Sequence, residues 1–159
     1  MKSKINKRFM LVALKKAKQG IKSGQLPFGA CVVKGNRIIS VAHNEIIKQH
    51  DITAHAEVIA IREACKKLKA IDLSACIIYS TCEPCPMCFS ACHWARISKI
   101  VFGTNIDDAK EAGFNELFVS NKKMKKLGKG KIKIKENFLR KENLGLFKIW
   151  SKKKNKKTY

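Results

Sequence analysis

Thr53-Ala54-His55-Ala56-Glu57 and, further along, Cys82-Glu83-Pro84-Cys85-Pro86-Met87-Cys88 are the two stretches around which this chain is organised. Each lies where a helix should begin. His55 and Glu57 are separated by about 200° around a helix axis, so in mid-helix they would point apart. They converge only in a first turn, which Asp51 or Thr53 would cap. Cys85 and Cys88, three positions apart, share one face of a helix entered through Pro86, and the positive end of that helix favours thiolates over thiols. The fold therefore has to bring two helix N-termini to one metal ion.

Working outward, the N-terminal segment places Ile5, Phe9, Val12, Ala13, Ala17 and Ile21 on one helical face, with Lys15, Lys16 and Lys18 outside it and Gly20 and Gly24 loosening or ending it. Phe28 to Val33 is a short apolar strand, and Gly35-Asn36 is a two-residue hairpin turn into a second strand, Ile38 to Ala42. His43, Asn44 and Glu45 stand at its exit, before a polar loop through Asp51. The central helix is expected from about Thr53 to Lys69, with Ala54, Val58, Ile61, Cys65 and Leu68 on one face and Ala56, Ala60 and Ala64 on the other. Ala75 to Tyr79 is a continuous buried strand, Pro86 to Arg96 a helix, and Lys99 to Gly103 another strand. Strand, helix, strand at such short separations predicts parallel neighbours, hence an α/β sandwich in which a hairpin leads into a parallel half.

Asp107 to Gly113 reads as a short helix or turn, Phe114 to Val119 as a brief apolar segment and Lys122 to Lys131 as a basic, Gly-containing loop. Ile132 and Ile134 alternate with lysines as in a strand with one wet face. Leu144, Phe147 and Trp150 suit a last amphipathic helix, and Lys152 to Lys157 form a charged tail.

The length of 159 residues, 45% of them hydrophobic, fits one domain spanning 1–159 with a single core. No apolar run is long enough to cross a bilayer, and Phe9 to Leu14 is hemmed by lysines with no cleavage site, so a cytoplasmic protein is expected. Seven cysteines, four of them crowded between positions 82 and 92, have metal spacing and not the pattern of a disulfide framework. The net charge of +22 would suit a partner with phosphates. Of the 34 basic residues, however, only Arg8, Arg37, Arg62, Arg96 and Arg140 are arginine, the residue that nucleic-acid interfaces favour. A solvated lysine-rich surface is the preferred reading.

One His and two Cys leave a fourth coordination position open, which is the arrangement of a catalytic zinc and not of a structural one. Two thiolates and a neutral imidazole cancel the charge of Zn2+, so the bound water is acidified less than at a tris-histidine site and a nearby base is useful. Glu57 is the candidate for that base, a proton shuttle and not a ligand. The run Cys82-x-x-Cys85-x-x-Cys88-x-x-x-Cys92 also has the spacing of a bacterial iron–sulfur ligand set. That set ends in Cys-Pro and serves a second cluster, whereas His93 follows Cys92 here and no second run exists. It would also leave His55 and Glu57 without a use. His-x-Glu followed by Pro-Cys-x-x-Cys is the signature of zinc-dependent nucleobase deaminases.

With these motifs the chain resembles the cytidine-deaminase-like superfamily and, within it, the small bacterial guanine deaminases. The resemblance runs from Pro27-Phe28-Gly29-Ala30 to the C-terminus and is carried by His55 to Arg62, by Thr81 to Cys88 continuing to Trp94-Ala95-Arg96, by Glu111-Ala112-Gly113-Phe114, and by the final Tyr159. It implies a three-layer α/β/α sandwich with a mixed five-stranded sheet and one Zn2+ per chain, held by His55, Cys85 and Cys88 with a bound water or hydroxide. It implies a homodimer in which the C-terminal segment, about 120–159, is exchanged between protomers and Tyr159 closes over the partner's site. Asn44 would hydrogen-bond a purine base, Phe28, Ala56 and Trp94 would line it, and Glu116 would bind or relay protons at its amino group. Relatives often carry two aspartates where this chain has Asn115-Glu116.

The reaction so implied is hydrolysis of guanine to xanthine and ammonia. A tRNA adenosine deaminase of the same superfamily is the alternative that the charge favours, with another purine or guanosine as further substrates. A metal-stapled nucleic-acid binder without catalysis is disfavoured by Glu57 and by the open coordination position.

Overall fold

The computed structural model describes residues 5–158. Tyr159 lies outside the described residues, and so does its expected role. The chain runs α1 (Lys7–Lys22), β1 (Gly29–Lys34), β2 (Arg37–His43), α2 (Ile46–Gln49), α3 (Ala56–Leu68), β3 (Cys76–Cys82), α4 (Pro86–Trp94), β4 (Lys99–Thr104), α5 (Ile106–Glu111), α6 (Asn121–Leu127), β5 (Lys133–Lys135) and α7 (Arg140–Ser151). The five strands form one sheet in the order β2-β1-β3-β4-β5. β1 is antiparallel to both of its neighbours, whereas β3, β4 and β5 are parallel, giving the expected mixed sheet.

α1 and α7 pack together on one face of the sheet, and α3 and α4 on the other, which makes the α/β/α sandwich. α1 starts at Asn6, whose side chain accepts from the Arg8 N–H, and buries Phe9, Met10, Ala13, Leu14, Ala17 and Ile21. Its approach to β1 is close: a Cβ at Gly29 would lie 2.3 Å from the Ala13 carbonyl oxygen. The β1–β2 hairpin turns at Gly35, whose φ of +57° is the left-handed conformation that glycine adopts without strain. β3 is buried at every position from Cys76 to Cys82, as its uninterrupted apolar run predicts.

Four sequence expectations change. The central helix begins at Ala56 and not at Thr53, because Asp51 spends its carboxylate on the Thr53 N–H and hydroxyl in a turn that precedes the helix. Its inner face is the small-residue one: Ala56, Glu57, Ala60, Ile61 and Ala64 are buried, while Val58 is half-buried. A short helix, α2, occupies the expected polar loop before Asp51. The basic stretch expected as a loop contains α6, started by the Ser120 side chain, which accepts from the Lys123 N–H. That helix has no apolar stripe for periodicity to detect, and Asn121 is its one buried residue.

The C-terminal part docks on its own chain. α7 buries Asn143, Leu146 and Trp150, with Phe147 half-buried beside them, and Leu144 lies at the edge of that stripe. Ile132 is buried and Ile134 half-buried, while Lys133 and Lys135 are exposed, as the alternation predicted. No helix among the described residues is long and apolar enough to cross a membrane.

Candidate active site

The starts of α3 and α4 meet at the C-terminal end of β3. His55 is the N-cap of α3, in extended conformation with φ −68° and ψ 152°, and Glu57 sits in the first turn. Cys85 is the N-cap of α4 in the same conformation, Pro86 is the first helical residue, and Cys88 follows within the first turn. The convergence expected from the sequence is thus obtained by making a metal ligand the cap of each helix. Cys85 Sγ lies 3.7 Å and Cys88 Sγ 3.5 Å from His55 Nδ1. All three donor atoms are within 4.8 Å of one another, and no other such group of His, Cys, Asp or Glu occurs among the described residues.

Zinc bonded to sulfur at about 2.3 Å and to nitrogen at about 2.0 Å in a tetrahedron separates its ligand atoms by about 3.5–3.8 Å. The observed spacing fits that ion without rearrangement. The electrostatics fit as well. The Cys85 thiol is pulled down to about 4, chiefly by the hydrogen bond it accepts from Cys88 and then by His55, against burial. Cys88 is pushed upward by that same bond and by burial, so the pair holds one thiolate ready. Burial works against the His55 imidazolium, but Cys85 and Glu57 outweigh it and the net shift is upward.

Cys82 and Cys92 are not part of this cluster. Cys82 ends β3 and its thiol points at the Asn105 carbonyl oxygen, 3.7 Å away, while Cys92 is fully buried in the core. The iron–sulfur spacing is therefore a coincidence of a strand end and a helix interior.

Glu57 is 5% exposed, and its Oε2 lies 3.5 Å from Cys88 Sγ. Burial raises its carboxyl above the ordinary range. Its other oxygen, Oε1, accepts a 2.7 Å hydrogen bond from Ser80 Oγ. Sequence reasoning passed over Ser80, although a lone serine inside the fully buried run Cys76 to Cys82 was a usable signal, because a buried hydroxyl needs a partner.

Asn44 is completely buried at the exit of β2. Its backbone N–H donates to the Phe28 carbonyl at 3.0 Å and its Oδ1 accepts from the Ile46 N–H at 3.2 Å, but its amide nitrogen has no hydrogen-bond partner among the described residues. Glu116 Oε2 is likewise buried and unpartnered. Burial, then the charges of Cys85 and Glu57, push the Glu116 carboxyl up to about 8. Glu116 lines a cavity of about 140 Å3 together with Ile106, Lys110, Phe114, Asn115 and Phe118.

Ala56 is fully buried between His55 and Glu57 in the chain, and Phe28 is 8% exposed, stacked edge-on to Phe114 at 4.8 Å and to Phe147 at 6.0 Å. Trp94 is not brought to the cluster within one chain. It is 81% exposed at the far end of α4, about 13 Å along the helix from Cys85.

An imidazole and two thiols on two helix caps, with a buried carboxylate beside them, define a zinc-dependent aminohydrolase site. The chain belongs to the cytidine and deoxycytidylate deaminase family, whose zinc-binding region matches residues 3–104. It is 41% identical over 152 residues to a guanine deaminase of Bacillus subtilis, covering 95% of this chain and 97% of that one. It is 44% identical over 110 residues to a tRNA-specific adenosine deaminase of Aquifex aeolicus, covering 69% of this chain and 72% of the other. Among solved structures, a guanine deaminase of Nitrosomonas europaea superposes with a TM-score of 0.83 at 28% identity, over 89% of this chain and 82% of that chain. The Bacillus subtilis enzyme superposes at 0.67 with 38% identity, over 98% and 99%.

Proposed function

We propose that this chain hydrolyses guanine to xanthine and ammonia. The observation that carries the reading is that Asn44 Nδ2 and Glu116 Oε2 are two of the four buried side-chain polar atoms without a hydrogen-bond partner among the described residues, and that the Glu116 carboxyl feels the charges of Cys85, Glu57 and His55. A buried donor and a buried carboxyl left without partners cost the folded chain stability unless a ligand satisfies them. A purine base with an exocyclic amine offers an acceptor for Asn44 and an amidine edge for Glu116. Discrimination by such groups is strong, because a base lacking the matching atoms leaves them unpaired. The 41% identity to the Bacillus subtilis guanine deaminase, over 95% of this chain, supports the same substrate.

When bound by His55, Cys85 and Cys88, zinc supplies an activated water. The residues do the rest. Glu57, held by Ser80, takes one proton from the attacking water at Oε2 and passes it to a ring nitrogen, then takes the proton of the new C–OH group and passes it to the amine, which departs as ammonia. Glu116, protonated near neutral pH, hydrogen-bonds the edge that carries the amine. Ala56 and Phe28 wall the base. We place the enzyme in the cytoplasm, where seven unpaired cysteines suit a reducing compartment.

We further propose a homodimer in which the segment from about 120 to the C-terminus is exchanged and makes on the partner the same contacts that it makes here on its own chain, so that Trp94 and Tyr159 serve the partner's site. Trp94, at 81% exposure, and Leu127, at 72%, are apolar surfaces that such a partner would cover.

Ammonia release measured on guanine, guanosine, adenine, cytosine, cytidine and a tRNA anticodon stem is the test. Guanine is expected to turn over fastest; turnover of the tRNA stem without guanine would move the chain to the tRNA branch, which its +22 charge and the Aquifex relative support. Glu57→Ala should keep its zinc and lose about 10²- to 10⁴-fold in rate.

A further inference from the structure

Glu83 joins the end of β3 to the Pro84-Cys85 turn and is 5% exposed, yet it forms no ion pair among the described residues. Its carboxylate is spent on backbone. Oε2 accepts from the N–H of Ile106, the first residue of α5, at 3.1 Å, and Oε1 accepts from the N–H of Asn121, the first residue of α6, at 2.7 Å. The Glu83 N–H itself donates to the Thr104 carbonyl of β4 at 2.8 Å. Asn121, fully buried, returns the contact: its Nδ2 donates to the Pro84 carbonyl at 2.6 Å. The two residues before Cys85 are thus tied to β4, α5 and α6, none of which contributes a metal ligand.

We infer that Glu83 and Asn121 form a clamp that positions the Cys85 thiolate in the metal site and makes metal retention depend on the docking of α6. The inference rests on the zinc reading of His55, Cys85 and Cys88.

The turn transmits position efficiently. Pro84 and Pro86 have fixed φ, and each restricts the residue before it to extended backbone, which is the conformation Cys85 adopts with φ −61° and ψ 167°. Few soft dihedrals remain between the clamp and Sγ, so a shift of Pro84 becomes a shift of the ligand. Metal–ligand distances in a zinc site keep to within about 0.2 Å of their usual values. On the other side, α6 carries four lysines, Lys122, Lys123, Lys125 and Lys126, and its only buried residue is Asn121. Apart from Met124, which is half-buried against the core, the helix therefore docks through the clamp. Coupling of this kind is reciprocal: whatever α6 docking contributes to metal affinity, bound metal contributes to α6 docking.

The test uses the full-length, zinc-loaded protein and follows transfer of zinc to a chromogenic chelator. Glu83→Gln presents an amide nitrogen to one of the two N–H groups and loses that bond; Asn121→Ala loses the bond to Pro84. Both are expected to release zinc about tenfold faster or more, the cost typical of groups that orient metal ligands. Their Co2+-substituted forms should show a shifted thiolate-to-metal absorption band. Asp108→Asn is the control, since Asp108 is also a buried carboxylate that accepts from the Asn105 N–H and binds Arg140, but does not touch the turn. It should lower thermal stability and release zinc at the native rate. In the native protein, bound zinc should slow hydrogen exchange of the α6 amides, and Glu83→Gln should abolish that effect. Native release rates in both clamp variants, or equal acceleration by Asp108→Asn, would overturn the clamp while leaving the zinc site intact. A native chain that takes up no zinc would overturn both.

Discussion

Ser80 Oγ and Glu57 Oε1 are joined by a buried 2.7 Å hydrogen bond that links the middle sheet strand to the first turn of α3. The bond fixes which carboxylate oxygen is spoken for, and leaves Oε2 on the side of Cys88. A hydrogen bond to a charged group contributes about 1.5–3 kcal/mol, so Ser80→Ala should lower kcat roughly ten- to a hundredfold. Zinc content and KM should stay near native, because the side-chain bond that Ser80 makes is to Glu57 and not to a metal ligand. Ser80→Thr, which keeps the hydroxyl, should recover most of the rate. Unchanged kcat in Ser80→Ala would dismiss the serine as core filler.

Asn44 is expected to act on binding and not on the chemical step. Its amide nitrogen lacks a partner in the free chain and would gain one only when a base arrives. Asn44→Ala should therefore lower kcat/KM for guanine by about ten- to a hundredfold, the range for leaving a buried polar partner unpaired. Steady-state kinetics on guanine, with zinc content as control, check this; a loss of zinc in place of a loss of affinity would show that the side chain serves the fold.

Much of this site was legible before any coordinates. His55, Glu57, Cys85 and Cys88 are found by spacing because metal geometry demands fixed residue types at fixed offsets. Asn44 and Glu116 came from resemblance, and the structure supplies a physical sign for both, an unpartnered buried atom. What sequence could not give is long-range polar satisfaction. Ser80 reaches Glu57 across 23 positions and Asn121 reaches Pro84 across 37, and neither pattern leaves a periodic trace. The start of α3 was misplaced for a related reason: Asp51 and Thr53 are good caps, but they satisfy each other in a preceding turn.

Glu116 makes a pH prediction for the zinc-free protein. Its carboxyl is raised from the ordinary 4.5 to about 8, chiefly by burial, so the folded state holds a proton that the unfolded chain gives up. Its relative contribution is greatest below the ordinary value, falls as pH rises toward about 8, and is constant above that. Glu116→Gln stays neutral throughout and should gain on the native chain over this window. Thermal melts at both ends of the window measure the difference; a gap between native and variant that does not change with pH would contradict the buried carboxyl.

The docking of α7 on β4 offers a test of the C-terminal packing. A Cβ at Gly103 would lie 2.1 Å from the Cγ and Nδ2 of Asn143, and Asn143 cannot swing aside without breaking its bonds to the Phe138 and Leu139 carbonyls at 3.1 and 2.8 Å. Forcing a methyl group into packed space costs about 1–3 kcal/mol, so Gly103→Ala should lower the free energy of unfolding by that amount. Asn143→Ala empties the same volume. Combined with it, Gly103→Ala should cost less than it does alone, since the methyl group then fills a gap and does not meet a side chain. Denaturant unfolding of the two single variants and the double variant decides the matter: additive losses would mean that Gly103 and Asn143 do not meet in solution.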